Sequence, residues 1–148
     1  MSRNVLSIRQ LRADDMPDIE SILDRSFSHD EIRRSYTTEL DYLIKNGVDR
    51  YLLCADSGLD VIGFIHGTNG DNAGEVDYIA VDTDYRKEGV GKSLMSELAH
   101  RFRDDGMYSI MLVPTVDSVG FYKSLGFHMN GQSKMMANVD DILKNSSY

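Results

Sequence analysis

The sequence predicts an α/β (α+β) fold in a single domain over residues 1–148, with a core from about residue 5 to residue 139. Three observations carry that reading. Two apolar runs of strand length, Tyr51 to Ala55 and Val61 to Gly67, flank the turn-forming segment Asp56-Ser-Gly-Leu-Asp60, which describes an antiparallel hairpin. A third run, Val76 to Val81, leads through polar residues into Arg86-Lys87-Glu88-Gly89-Val90-Gly91-Lys92-Ser93 and then into a helix whose Leu94, Met95, Leu98, Ala99 and Phe102 share one face. The length suffices for a real core, and no proline-rich linker, low-complexity tract or repeat divides the chain.

From the N-terminus, Ser7 to Arg12 reads as the first strand. Asp15 caps a first helix with Pro17 in its opening turn and Ile19, Ile22, Leu23 and Phe27 on one face. A second helix follows, because Ile32, Tyr36, Leu40, Leu43 and Ile44 keep helical spacing up to a stop at Gly47. After the hairpin, Asn69-Gly70 and Gly74 turn the chain into the next strand. The helix behind Ser93 stops near Gly106, Tyr108 to Val113 forms a strand ended by Pro114, and Met129 to Val139 supplies the last strand or strands around Gly131. The predicted order is β-α-α-β-β-β-α-β-α-β.

Composition narrows the function classes. The chain has 16 Lys plus Arg against 24 Asp plus Glu, a net charge of -8, which speaks against nonspecific nucleic-acid binding and reads first as a solubilising acidic surface and second as suited to a cationic substrate. His29, His66, His100 and His128 have no metal-ligand spacing and read as surface or core residues. Cys54 stands alone in an apolar strand and reads as a buried spectator. No apolar run reaches the ~20 residues that span a bilayer, and the polar N-terminus lacks the apolar core of a signal peptide, so no membrane role and a cytoplasmic location are expected.

Against this acidic background, the segment Arg86 to Ser93 collects positive charge at a helix start. Unpaired N–H groups there attract anions, Gly89 and Gly91 remove side chains that would keep a phosphate away, and Arg86, Lys87 and Lys92 add full charges. The P-loop pattern G-x-x-x-x-G-K-[ST] fails at its first position, where Arg86 stands. The dinucleotide fingerprint fails as well, since Leu94 takes the place of its third glycine and no early strand carries the motif. With no metal carboxylates beside the loop, a nucleotide phosphohydrolase is disfavoured too. What remains is Arg-x-x-Gly-x-Gly.

That pattern resembles the acyl-coenzyme A pyrophosphate loop of the GCN5-related N-acetyltransferase (GNAT) superfamily. Upstream, Glu75-Val-Asp-Tyr-Ile-Ala-Val81 resembles the family's fourth strand, and Val119-Gly-Phe-Tyr122-Lys-Ser-Leu-Gly126-Phe127 resembles its late helix with the Phe-Tyr-x-x-x-Gly-Phe ending. The element order matches over roughly residues 5 to 139. The resemblance implies a mixed, mostly antiparallel sheet flanked by helices, with acetyl-CoA and an amine-bearing substrate as partners; a homodimer is left open. It also implies a cofactor site of two parts. Ile79, Ala80 and Val81 would meet the pantetheine, with the backbone of Ile79 and Val81 pairing to it like an added strand. Arg86, Lys87, Glu88, Gly89, Val90, Gly91, Lys92 and Ser93 would hold the pyrophosphate.

Transfer from a thioester to an amine requires a deprotonated amine and a proton for the departing thiolate. An amine of pKa ~10.4 is mostly charged at neutral pH, so a base is needed. Glu75 stands where histone-type members carry their glutamate base, and Asp77, two residues on along the same face, is the reserve; both also read as solvated strand-end acids. Tyr122 occupies the family's tyrosine position near the coenzyme sulfur and is the candidate acid, with core packing as the alternative role. The asparagine frequent seven residues earlier is Thr115 here. The first two helices would shape the acceptor site between Phe27 and Tyr36, with Asp77 facing it. The reading is an N-acetyltransferase acting by direct attack in a ternary complex, with a small-molecule amine favoured. A protein lysine or N-terminal acetyltransferase, or a non-catalytic acyl-CoA-binding module, are the alternatives.

Overall fold

The structure, a computed structural model, describes residues 6–26, 30–47, 50–86 and 89–146. A short first strand, β1 (Ser7–Gln10), leads through a 3-10 turn into α1 (Met16–Ser26), and α2 (Asp30–Lys45) follows. Next come β2 (Leu52–Asp56), β3 (Val61–Asn69) and β4 (Gly74–Val81), then α3 (Val90–Asp104) and β5 (Ser109–Leu112). The chain closes with α4 (Val119–Ser124), β6 (His128–Met129), β7 (Met135–Asn138) and α5 (Val139–Ser146). The seven strands form one sheet in the order β1-β2-β3-β4-β5-β7-β6. Every pairing is antiparallel except β4 with β5, which α3 joins as a parallel crossover. This is the mixed, mostly antiparallel sheet the sequence implied.

Two apolar layers hold the helices to the sheet. On one face, Leu94, Met95, Leu98, Ala99 and Phe102 of α3 meet Leu53, Ile65, Val76 and Ile110, as their shared helical face predicts. On the other, Ile19, Ile22 and Leu23 of α1 and Leu40 of α2 pack on Leu52, Cys54, Phe64 and Ala80. The sheet admits α3 closely because glycine stands beneath it: a Cβ on Gly74 would sit 2.5 Å from the Phe102 ring, and one on Gly67 would sit 2.9 Å from Leu98 Cδ1. Cys54 is fully buried, and burial pushes its thiol up to about 12, so it is an inert core residue.

Three expectations are refined. Asp15 does not cap the helix ahead of it; its carboxylate reaches back to the Arg12 N–H at 2.7 Å and accepts both terminal nitrogens of Arg9 at 2.8 Å, tying β1 to the start of α1. The first strand ends at Gln10 rather than Arg12. The core extends past residue 139, because α5 buries Val139 and Ile142 in the α3 layer. Among the described residues, no helix is long and apolar enough to cross a membrane.

Candidate functional site

The site begins with an irregularity in the β3–β4 ladder. His66 lies opposite Tyr78 and Gly67 opposite Val76, so Asp77 is an extra residue without a partner on β3. Strand residues two apart normally share a face. Here Val76 enters the α3 layer while Tyr78 packs with the α1/α2 layer, as does Ala80. The bulge therefore places Glu75, Asp77 and Tyr78 on the α1/α2 face together.

On its other side β4 soon loses its neighbour. The parallel ladder with β5 covers only Gly74 to Val76 against Ile110 to Leu112, and β4 runs on to Val81 without it. A cleft of about 280 Å³ opens where the ladder ends, lined by Glu75, Val76 and Asp77 of β4, by Met111 to Val113 and by Lys134. The Asp82 N–H donates to Ile62 O at 2.7 Å, so by alternation Ala80 directs its backbone to β3 while Ile79 and Val81 direct theirs away from β3. The backbone of Ile79 and Val81 thus lies on the edge of β4 that β5 leaves uncovered. Ala80 does not, for its side chain is buried and its backbone faces β3.

The far end of that edge meets the start of α3. Gly89 is the N-cap, with φ at +79°, a left-handed conformation that a side chain would strain. The first helical bond runs from Ser93 N–H to Gly89 O at 3.0 Å, so the N–H groups of Val90, Gly91 and Lys92 precede the ladder and point out of the helix start. The Ser93 N–H is already committed to it. Arg86 folds its Nε back to within 3.3 Å of Val81 O, standing between the β4 edge and the helix. Lys87 and Glu88 lie outside the described residues, as does Phe27 of the expected acceptor site.

Gly91 has a role the sequence did not suggest. Its ideal Cβ would stand 3.1 Å from Phe121 Cζ, so its bare backbone seats an α4 ring against the start of α3. Phe121 in turn lies edge-on to Tyr122, with centroids 5.3 Å apart. The Phe-Tyr-x-x-x-Gly-Phe ending is a helix stop: Gly126 N–H donates to Lys123 O and Phe127 N–H to Tyr122 O, both at 3.1 Å, with Gly126 at φ +100°. This closure brings Phe127 onto Tyr122 at 5.6 Å and fixes the tyrosine ring. Tyr122 is 6% exposed, and burial pushes its phenol up to about 12. Among the described residues its hydroxyl has no hydrogen-bond partner, and no buried side-chain polar atom is left unpaired, so that hydroxyl reaches accessible space. Thr115, in place of the frequent asparagine, opens the turn before α4, where its N–H donates to Ser118 Oγ at 2.9 Å.

On the α2 side, Tyr36 stacks at 5.1 Å on Tyr78 and 6.3 Å from Phe64, with its hydroxyl 3.2 Å from His66 Nδ1. Burial is the main reason its phenol is held well above the usual range, with Glu39 and Asp77 adding to it. His66 is 3% exposed, and its Nε2 lies 4.0 Å from Asp77 Oδ2. Burial lowers its proton affinity more than Asp77 and Glu39 raise it. Sequence reasoning placed Tyr36 and Asp77 near the acceptor but passed over His66, which carries no local signal because its partners lie on other elements.

Known proteins resemble this chain in sequence and in fold. The model of the Acetyltransferase (GNAT) family matches residues 16–127. The glucosamine 6-phosphate N-acetyltransferase of Trypanosoma brucei brucei is 38% identical over 61 residues, which cover 40% of this chain and 42% of that protein. The peptidyl-lysine N-acetyltransferase YjaB of Salmonella typhimurium is 27% identical over 145 residues, covering 95% of this chain and 92% of that protein. Among solved structures, the paia N-acetyltransferase of Thermoplasma acidophilum in complex with coenzyme A superposes with a TM-score of 0.71 at 22% identity, over 90% of this chain and 99% of that one.

Proposed function

The chain belongs to the acetyltransferase (GNAT) family, acyl-CoA-dependent N-acetyltransferases with acetyl-CoA as cosubstrate, and within it we propose that this protein acetylates the primary amine of a small molecule by direct attack in a ternary complex. The observation that carries the reading is the succession of the open β4 edge at Ile79 and Val81, Arg86 at its end, and the N–H groups that precede the α3 hydrogen-bond ladder. An extended amide chain ending in a pyrophosphate fits that path, with strand-like pairing along the edge and an anion at the helix start. Arg86 and Lys92 supply charge there, and in sequence Lys87, Glu88 and Gly89 belong to the same segment.

When bound, the thioester supplies an activated acyl group. The protein's own part is to manage two protons. The acceptor arrives as an ammonium and must lose one proton before attack, and a carboxylate of the cleft receives it, Glu75 in the first assignment and Asp77 in reserve. The second proton leaves the nitrogen as the C–N bond forms, and Tyr122 supplies one to the departing sulfur. A phenol that stays protonated up to about 12 is suited to that donor role. Glu75 and Asp77 also favour a cationic acceptor electrostatically.

The test is thiol release from acetyl-CoA across an amine panel of spermidine, an aminoglycoside, glucosamine 6-phosphate, free amino acids and a lysine peptide. Turnover of a small amine is expected. Acetyl-CoA binding without turnover of any amine would leave a binding module in place of an enzyme. Preference for the peptide would favour the second reading, a protein lysine acetyltransferase, for which the match to the peptidyl-lysine enzyme over 95% of this chain speaks.

A further inference from the structure

The bulge at Asp77 brings three titratable groups from three elements into one line: Tyr36 on α2, His66 on β3 and Asp77 on β4. Nδ1 of His66 is 3.2 Å from the Tyr36 hydroxyl, and Nε2 is 4.0 Å from Asp77 Oδ2. We propose that His66 stands behind Asp77 as the store for the proton taken from the acceptor ammonium, so that the Asp77–His66 pair, and not Glu75 alone, activates the amine. The proposal rests on the acetyl-transfer reading above.

The surroundings of His66 and Asp77 support it. The 4.0 Å gap is too long for a hydrogen bond, and a proton on Nε2 would turn it into a charge-assisted bond. With Nδ1–H donating to the Tyr36 oxygen, 3.2 Å away, Nε2 is left free to accept. The groups facing His66 among the described residues are Tyr36 and Glu39 from α2 and Asp77 and Tyr78 from β4, while its β2 neighbour Leu52 carries no charge. Burial keeps the imidazole neutral at rest, and Asp77 and Glu39 offset part of that cost once an imidazolium forms. Glu75 has no comparable partner behind it among the described residues. The route is open at one end only, because the Asp77 side chain is 37% exposed on the cleft while the His66 side chain is 4% exposed.

The step balances. An N–H bond of the ammonium breaks, the proton passes by way of the Asp77 carboxylate, and an Nε2–H bond forms on His66. The amine that remains attacks, and its second proton leaves with the sulfur through Tyr122. After product departs, His66 returns its proton to solvent by way of Asp77.

Two measurements on the full chain test this. The first follows the His66 ring by NMR as pH is varied, in the wild type and in Asp77→Asn, an exposed substitution that spares the core. Loss of the carboxylate should move the His66 midpoint down in pH, and an unchanged midpoint overturns the pairing. The second compares kcat of the wild type and His66→Gln from pH 6.5 to 9, using whichever of spermidine, glucosamine 6-phosphate or a lysine peptide the wild type acetylates best. Loss of the proton store should lower kcat by about 10²-fold near neutrality. The deficit should shrink as rising pH deprotonates the amine unaided. A ratio that stays flat across the range marks His66 as packing and overturns the proposal while leaving acetyl transfer intact. Failure of the wild type to acetylate these three and every other amine of the panel overturns the acetyl-transfer reading and this proposal with it.

Discussion

Replacing Tyr122 with phenylalanine separates the proposed chemistry of its hydroxyl from the packing of its ring. The ring is held by two edge-on contacts, Phe121 at 5.3 Å and Phe127 at 5.6 Å, and by the helix stop that delivers Phe127 onto it. Tyr122→Phe keeps all of these. It removes one hydroxyl that has no hydrogen-bond partner among the described residues, so stability should move by less than about 1 kcal/mol. Catalysis should move much further. A general acid contributes about 10²-fold or more, which corresponds to about 2.7 kcal/mol of barrier. Because burial pushes the phenol up to about 12, the wild type should show no loss of the donor between pH 6 and 9, and the deficit of the variant should be constant across that window. The assay is thiol release at saturating acetyl-CoA, with the affinity for acetyl-CoA from calorimetry and the melting temperature beside it. A Phe variant of unchanged turnover, with chemistry shown to limit the rate, would assign Tyr122 to packing alone. Tyr122→Ala would be a poor substitute, since losing a buried aromatic ring costs about 3–5 kcal/mol and confounds the rate with folding.

Other perturbations probe the remaining parts. Gly89→Ala forces a side chain into a left-handed N-cap at φ +79°, at a cost of about 1–2 kcal/mol, and should weaken acetyl-CoA binding in calorimetry; full affinity at full stability would remove the helix start from the pyrophosphate site. Gly74→Ala places a Cβ 2.5 Å from the Phe102 ring and should destabilise by about 1–3 kcal/mol, seen as a lower melting temperature with little change in KM. Asp15 provides a pH prediction: burial raises its carboxyl, but the Arg9 pair and the Arg12 N–H more than offset this and hold it below the ordinary 3.8. A depressed carboxyl stabilises the fold fully above its unfolded value and loses that contribution as pH falls through the folded one, so Asp15→Asn should melt lower at pH 7 and lose less than the wild type on acidification, by thermal melts from pH 7 to 3.

What could be read in advance was written locally. Gly106 and Gly126 end their helices, and Leu94, Leu98 and Phe102 line the buried face of α3, because a helix stop and a helical stripe each need only a few neighbouring residues to declare themselves. The helix α5 escaped notice because Val139-Asp-Asp-Ile-Leu-Lys-Asn-Ser146 is mostly polar, and Val139 and Ile142 become core residues only when α3 is there to cover them. The sequence suggests an anion-site glycine at Gly91 but gives no sign that it seats Phe121, thirty residues away. His66 is the clearest case. Nothing around it in the chain announces a role, since Tyr36 and Asp77 reach it only after α2, β3 and β4 have assembled.

The bulge explains why both halves of the site depend on register and on no motif. With a continuous ladder, Tyr78 would share the face of Val76 and point into the α3 layer, and Ile79 and Val81 would exchange faces with it. One extra residue prevents this. It delivers Tyr78 to Tyr36 and Phe64, aims Asp77 at the cleft with His66 behind it, and leaves the backbone of Ile79 and Val81 on the side that β5 no longer covers. The edge that would hold the acyl donor and the acid–base groups that would meet the acceptor are therefore set by one local defect in β4. A change that restored regular pairing there would remove both at once, even with every residue of the Arg86 to Ser93 loop in place.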